Sequence, residues 1–293
     1  MTACGSSSDH LDSSTGYKLV TSTLEVVIMD LIRVVVSGAL GGMGTEVIKA
    51  VLHEPDMKLV GALEEKVTQK YLTLPKTSEQ VPFSSDPDFL LKSCNANVLV
   101  DFTKASASIA IARIALKDKV NMVIGTTGLT EDNLEEIDQL CRDNGVGAIE
   151  SPNFSLGTLL MMHLARIVAT YYDYAEIIER HPDNKPDAPS ATSIAIAKGM
   201  LKARGKPFRY PETKTAIISN TRGGQIKGIP IHSVRSPGVP CSGHEIMFGR
   251  TGQNLTLCDE TISRESYMPG VILAIREVLK HKRLIRDWEP WKF

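Results

Sequence analysis

The chain has little that would tie it to a polymer, a bilayer or an oxidising compartment. Basic and acidic residues nearly cancel, 33 against 34 for a formal charge of -1 over 293 residues, which leaves no electrostatic footprint for nucleic acid or an anionic membrane. Its ligands are expected to be small. Cysteine is scarce: Cys4, Cys94, Cys141, Cys241 and Cys258 are scattered, odd in number and without a Cys-x-x-Cys pair. That argues against a disulfide framework and against a zinc site, so no metal is expected, and a reducing, cytoplasmic setting fits best. No apolar run approaches the ~20 residues of a membrane-spanning helix. The opening residues are rich in Ser and Thr but lack the order of a signal peptide and the Arg of a transit peptide. Residues 1–31 therefore read as a disordered lead-in, with translation from Met29, just before the first strand, as the alternative.

What is present is alternation. Ile32 to Ser37 is a short β-branched run of the kind that forms a buried parallel strand. Gly38-Ala-Leu-Gly-Gly-Met-Gly44 follows, then helical spacing over Thr45 to Leu52 and a second apolar strand from Met57 to Leu63. Glycines at 38, 41 and 44 allow a tight turn and close approach of backbone to a pyrophosphate, with a helix start facing its charge. Glu64 falls where an acidic residue binds the adenine ribose hydroxyls. A second carboxylate at Glu65 would repel a 2′-phosphate, so NADH is expected in preference to NADPH. Further strands (Asn97 to Phe102, Asn121 to Gly125, Val146 to Ile149) alternate with helices at Ala105 to Lys117 and from Thr130 to about Cys141, and Gly125-Thr-Thr-Gly128 is placed to press on the nicotinamide half. The pattern predicts an α/β, Rossmann-type doubly wound parallel sheet over 32–153.

Beyond Asn153 a long apolar helix, Gly157 to Thr170, leads into Glu176 to Thr192: a strand, a polar loop holding His181 and Lys185, and a helix start at Ser190. Free N–H groups at such a start suit an anion. Strand-like segments at Thr215 to Ser219, Ile229 to Val234, His244 to Phe248 and Leu255 to Leu257, with a turn at Arg222-Gly-Gly224, predict a mainly antiparallel sheet in an α+β domain over 154–262, one face free for subunit contact. The last helix, Gly270 to His281, is expected to return with the rest of 263–293 to the first domain. Glu176 and Glu179, three apart on a strand, face opposite sides and read as structural. Met161 and Met162 read as core, and His232 and His244 as structural hydrogen bonding or as the rim of the site.

Taken together, the glycine turn, Val100-Asp-Phe-Thr103, Gly125-Thr-Thr-Gly128, Pro152-Asn-Phe-Ser155, Glu176-Ile-Ile-Glu179 with Lys185-Pro-Asp-Ala-Pro-Ser190, and Ile231-His-Ser-Val-Arg235 with Gly243-His244 resemble one family. From Arg33 to Leu284 the chain resembles the 4-hydroxy-tetrahydrodipicolinate (dihydrodipicolinate) reductases of lysine and diaminopimelate biosynthesis. The resemblance implies an NAD(P)H-dependent homotetramer that reduces a cyclic unsaturated dicarboxylate to tetrahydrodipicolinate. It implies that His181 and Lys185 are catalytic and that Ser190, Ala191 and Thr192 bind substrate. It implies that Gly38, Ala39, Leu40, Gly41, Gly42, Met43, Glu64, Gly125, Thr126, Thr127, Ser151, Pro152, Asn153 and Phe154 bind the cofactor.

Two departures fall inside the site. The family usually has a second histidine where this chain has Pro182, and glycine where it has Ala191, whose Cβ would crowd a carboxylate or forbid positive φ. Two other readings therefore stand beside the first: a reductase of the same fold acting on another cyclic imine or enamine acid, and a non-catalytic NAD(H)-binding sensor or partner subunit.

Overall fold

The computed structural model describes residues 31–286 except 220, together with 288 and 290. All of the expected lead-in but Leu31 lies outside the described residues. The first half of the chain runs β1 (Ile32–Ser37), α1 (Gly42–His53), β2 (Met57–Leu63), β3 (Tyr71–Thr73), β4 (Gln80–Ser84), α2 (Pro87–Cys94), β5 (Val98–Asp101), α3 (Ala105–Ala115), β6 (Asn121–Ile124), α4 (Glu131–Asn144) and β7 (Ala148–Glu150). The second half runs α5 (Leu156–Ala169), β8 (Tyr174–His181), α6 (Ala191–Arg204), β9 (Gly224–Ile226), β10 (Ile229–Arg235), β11 (Ser242–Arg250), β12 (Gln253–Thr261), a 3-10 turn at Arg264–Tyr267, α7 (Met268–Val278) and β13 (Leu284–Ile285).

Eight strands form a sheet in the order β13-β7-β6-β5-β1-β2-β4-β3, parallel except for the β3–β4 edge pair. Val34, Val35 and Val36 are each fully buried, because successive side chains of a strand point to opposite faces and helices cover both. Val34 and Val36 pack with α1 and α7, and Val35 with α2, α3 and α4. The chain winds outward from β1 through β2 on one side and from β5 through β6 on the other. That reversal opens a crevice at the carboxyl ends of β1 and β5, where Ser37 stands in register with Asp101.

The second sheet has the order β12-β11-β8-β10-β9 and is antiparallel except for the β8–β10 pair. Helices α5 and α6 cover one face: Met161, Met162, Ala165, Ile196, Ala197 and Met200 pack on Ala175, Ile177, Ile231, Ile246 and Phe248. The central strand β8 alternates strictly, with Ala175, Ile177, Glu179 and His181 buried beneath the helices. Glu176 lies on the other face, paired with Arg222 and, at 3.0 Å, with His232.

One expected strand is absent. Thr215 to Ser219 is irregular, with Ile217 94 % and Ile218 68 % exposed. The edge position it would need is filled by Gly224–Ile226, whose first residue ends the stretch Arg222-Gly-Gly224 read as a turn. This strand pairs with β10 through a two-residue loop, Lys227 and Gly228, both at positive φ, the geometry that matches strand twist in a hairpin. β-branched residues favour a strand only where a neighbouring ladder accepts them.

Candidate active site

The glycine turn is built for close approach. Gly38 sits at φ +75°, and a Cβ at Gly44 would stand 2.1 Å from the Gly38 carbonyl oxygen and 2.8 Å from its carbon. Neither atom can yield without moving the turn. Gly44→Ala is therefore expected to reduce NADH affinity at least about tenfold and to cost about 1–3 kcal/mol of stability, the usual toll of overpacking, as read by nucleotide fluorescence and urea unfolding.

Beside the turn, Glu64 Oε2 accepts a hydrogen bond from Leu40 N at 3.0 Å and Oε1 one from Glu65 N at 3.0 Å. This carboxylate ties the end of β2 to the turn. Gly38, Leu40, Gly41, Glu64, Glu65, Lys66, Thr103 and Lys104 are among the residues lining a cavity of about 870 Å³. Thr103 on its wall donates through Oγ1 to the wholly buried Asp101 at 2.9 Å, and Asp101 also accepts from Thr126 Oγ1 at 2.7 Å. The cradle, the oriented carboxylate and the crevice fit a pyridine dinucleotide.

A second cavity of about 420 Å³ is lined by Met43, Gly125, Thr127 and Ser151 to Phe154 from the first half of the chain, and by His181, Lys185, Asp187, Ser190, Ala191, Thr192, Cys241, Ser242, His244, Arg264 and Tyr267 from the second. Local structure explains the loop at its heart. β8 ends at His181, Lys185 N bonds back to Pro182 O at 3.3 Å, and Ser190 caps α6 by accepting from Ser193 N at 3.1 Å. Cap and strand are joined by Glu179, wholly buried, which accepts from Ser190 N at 2.8 Å, Ser193 Oγ at 2.6 Å and Arg235 at 2.9 Å. Ala191 opens α6 and is not among the residues at positive φ, so the expected backbone conflict with glycine does not arise.

The charges around His181 oppose one another. Burial pushes its imidazole below the ordinary value of 6.5; Glu179 pulls it up, and Lys185 and Arg235 push it down. His244 stands edge-on to His181, ring centroids 5.5 Å apart, and burial and then His181 push it down to about 4. Burial alone would raise the Glu179 carboxyl, but its hydrogen bonds from Ser190, Ser193 and Arg235 hold it down at about 2. Lys185 pairs with Asp187 at 2.6 Å.

Most of the residues singled out in the sequence line one of the two cavities. Ala39, Gly42 and Thr126 line neither: Ala39 is buried in the first core, Gly42 lies against Arg264, and Thr126 bonds Asp101. Ser190 reaches the second cavity, but its hydroxyl is committed to the cap. His232 lies on the opposite face of the sheet, whereas His244 is buried inside the site. Lys104 and Ser242 stand directly beside Val100-Asp-Phe-Thr103 and Gly243-His244 but are not singled out with them, and Arg264 and Tyr267 come from a segment with no periodic or motif signal of its own.

Two family models cover the chain. One described as "Dihydrodipicolinate reductase, N-terminus" matches residues 32–154 and one described as "Dihydrodipicolinate reductase, C-terminus" matches 157–288. A 4-hydroxy-tetrahydrodipicolinate reductase of Dehalococcoides mccartyi is 44% identical over 257 residues, 88% of this chain and 97% of that protein. One from Moorella thermoacetica is 40% identical over 262 residues, with the same shares of each chain. Among solved structures, a dipicolinate-bound dihydrodipicolinate reductase from Paenisporosarcina sp. TG-14 superposes with a TM-score of 0.76 at 34% identity, covering 87% of this chain and 97% of that one.

Proposed function

Because the chain belongs to the dihydrodipicolinate reductase family, we propose that it catalyses the NAD(P)H-dependent reduction of 4-hydroxy-tetrahydrodipicolinate to tetrahydrodipicolinate, a step of lysine and diaminopimelate biosynthesis. One observation carries this reading: His181, Lys185 and Thr192 line the same cavity as Gly125, Thr127 and Asn153. A dicarboxylate there would lie between a proton donor and the wall where a nicotinamide would rest. When bound, the nucleotide supplies the hydride. The chain's own residues do the rest. Lys185 Nζ and the N–H groups opening α6 hold the two carboxylates. His181 delivers a proton as negative charge grows on the ring. Pro182 removes one imidazole contact but leaves these intact.

The test is oxidation of NADH with freshly made 4-hydroxy-tetrahydrodipicolinate, for which turnover is expected. Tight NADH binding without turnover would sink the assignment and restore the sensor or other-imine readings.

NADH is the preferred cofactor, with NADPH second. Glu65 carries the preference, yet Lys104 pairs with it at 3.2 Å and Lys66 lines the same cavity, so the discrimination rests on a small difference of charges. Lys104→Ala is expected to lower kcat/KM for NADPH relative to NADH by about three- to tenfold, the scale of an exposed ion pair. An unchanged ratio would remove Lys104 from the account.

Residues 32–153 with the returning segment 263–293, of which 287, 289 and 291–293 lie outside the described residues, make up the dinucleotide-binding domain, and 154–262 the substrate and assembly domain. The assembly is a homotetramer, and its site is the sheet face away from α5 and α6, where Val234 is 41 % and Met247 37 % exposed. No helix among the described residues is long and apolar enough to cross a membrane, and the enzyme works in the cytoplasm.

A further inference from the structure

The proposed reaction leaves one buried group in the cavity unused. His244 is 1 % exposed, and neither of its ring nitrogens has a hydrogen-bond partner among the described residues; His181 Nε2 is buried in the same condition. Buried polar atoms are nearly always paired with protein, water or an ion. One nitrogen from each ring and an oxygen of Glu179 lie within 4.8 Å of one another, with His181 Nε2 3.9 Å from Glu179 Oε2.

Two imidazoles and a carboxylate are the protein ligands of many zinc sites, with a fourth position open to water. We propose that Glu179, His181 and His244 bind a divalent transition-metal ion of the zinc class, and that its occupation withdraws His181 from proton transfer. The second half of this statement rests on the role given to His181 above. The first half does not.

Charge permits it. Of the ionised groups facing the cluster, Arg235 is paired with Glu179 and Lys185 with Asp187, and Arg180 is turned to the far face with Glu245 and Glu260. The ion would not meet a net positive cluster. An ionised carboxylate offers about four acceptor positions; Ser190 N and Ser193 Oγ fill both on Oε2 and Arg235 fills one on Oε1, so the ion takes the open position on Oε1 or displaces the Ser193 hydroxyl from Oε2. To reach metal–nitrogen distances of about 2.0–2.1 Å the rings must draw inward by roughly an ångström. Nitrogen ligands select zinc, cobalt or nickel over magnesium and calcium, which take oxygen.

The test omits substrate and nucleotide, because a dicarboxylate chelates metal by itself. The full chain, stripped with EDTA and dialysed, is titrated with CoCl₂. Intense visible d–d bands that saturate at one ion per chain, are erased by ZnCl₂ and ignore MgCl₂ are the expected result. His244→Gln should weaken binding by at least about 10–100-fold, the cost of losing even a group that only orients a ligand, while His232→Gln leaves it unchanged. His181→Gln serves as a second ligand variant, with far-UV circular dichroism reporting folding for each. A spectrum that stays that of aqueous octahedral cobalt, or one that His244→Gln does not alter in a folded protein, overturns the site. In a separate assay with free zinc held fixed by a metal buffer, so that chelation by the dicarboxylate does not set it, zinc should slow NADH oxidation by the wild type more than by His244→Gln. Cobalt binding in a chain that proves to have no reductase activity would leave the site standing and remove only its consequence.

Discussion

His181→Ala is expected to lower kcat by about 10²–10⁴-fold, the usual contribution of a positioned general acid, while NADH affinity stays where it was. His181 is placed to act on substrate, not on nucleotide, since it lies at the end of β8 and the dinucleotide turn lies at the end of β1. Lys185→Ala should show a different split, raising KM more than it lowers kcat, because an ammonium that anchors a carboxylate holds ground state and transition state alike. The pH profile gives an independent check. His181 donates only when protonated, and burial places its pKa below the ordinary 6.5. The limb of kcat/KM assigned to His181 should therefore fall as pH rises through a value on the acid side of 6.5, and the bound dianion should move the corresponding limb of kcat upward. Removing the negative charge of Glu179 should move both limbs further down, since that charge raises the pKa. A limb that stays put in a folded Glu179→Gln would mean that another group supplies the proton.

Much of this site was legible because it is nearly contiguous. His181, Lys185 and Ser190 to Thr192 occupy one strand end, one loop and one helix start, and each element has a local signal: a short apolar run in β8, Pro186 and Pro189 in the loop, Ser190 as cap. The parallel strands announced themselves as β-branched runs for the same reason that they are buried on both faces. What could not be read came from long-range pairing. Nothing near Glu179 in sequence indicates Arg235, and nothing near His181 indicates His244, since those partners arrive only when β10 and β11 add to β8 on its two sides. The strand expected at Thr215 to Ser219 failed for a related reason: its residues favour extended structure, but the edge was already taken by a hairpin that Lys227 and Gly228 close. Strands β3 and β4 and helix α2 show little periodicity at three, five and eight residues.

The largest expected loss of stability comes from Glu179, a residue the sequence marked only as structural. Glu179→Ala removes the acceptor that joins β8 to the α6 cap and leaves Arg235, whose side chain is 18% exposed, without its carboxylate partner. Breaking a buried ion pair from one side costs about 3–5 kcal/mol, a large fraction of the ~5–15 kcal/mol that holds a typical protein folded. The pH dependence of the wild type should agree. The carboxyl is held at about 2, below its ordinary value of 4.5. Its contribution is thus fully present above 4.5 and is lost as pH falls from 4.5 towards 2, on the order of 3 kcal/mol at 1.36 kcal/mol per unit of pKa. Urea midpoints measured across that window should fall steeply for the wild type and more gently for Glu179→Ala. Glu176→Ala, which breaks only half-exposed pairs on the opposite face, should cost no more than about 1 kcal/mol. The double variant Glu179→Met with Arg235→Met separates two explanations. If Glu179 matters because Arg235 would otherwise be a buried, uncompensated charge, the pair of substitutions costs less than Glu179→Ala alone. If it matters because Ser190 and Ser193 need an acceptor, the double variant is as unstable as the single one, and loss of the α6 cap then also weakens carboxylate binding at Thr192.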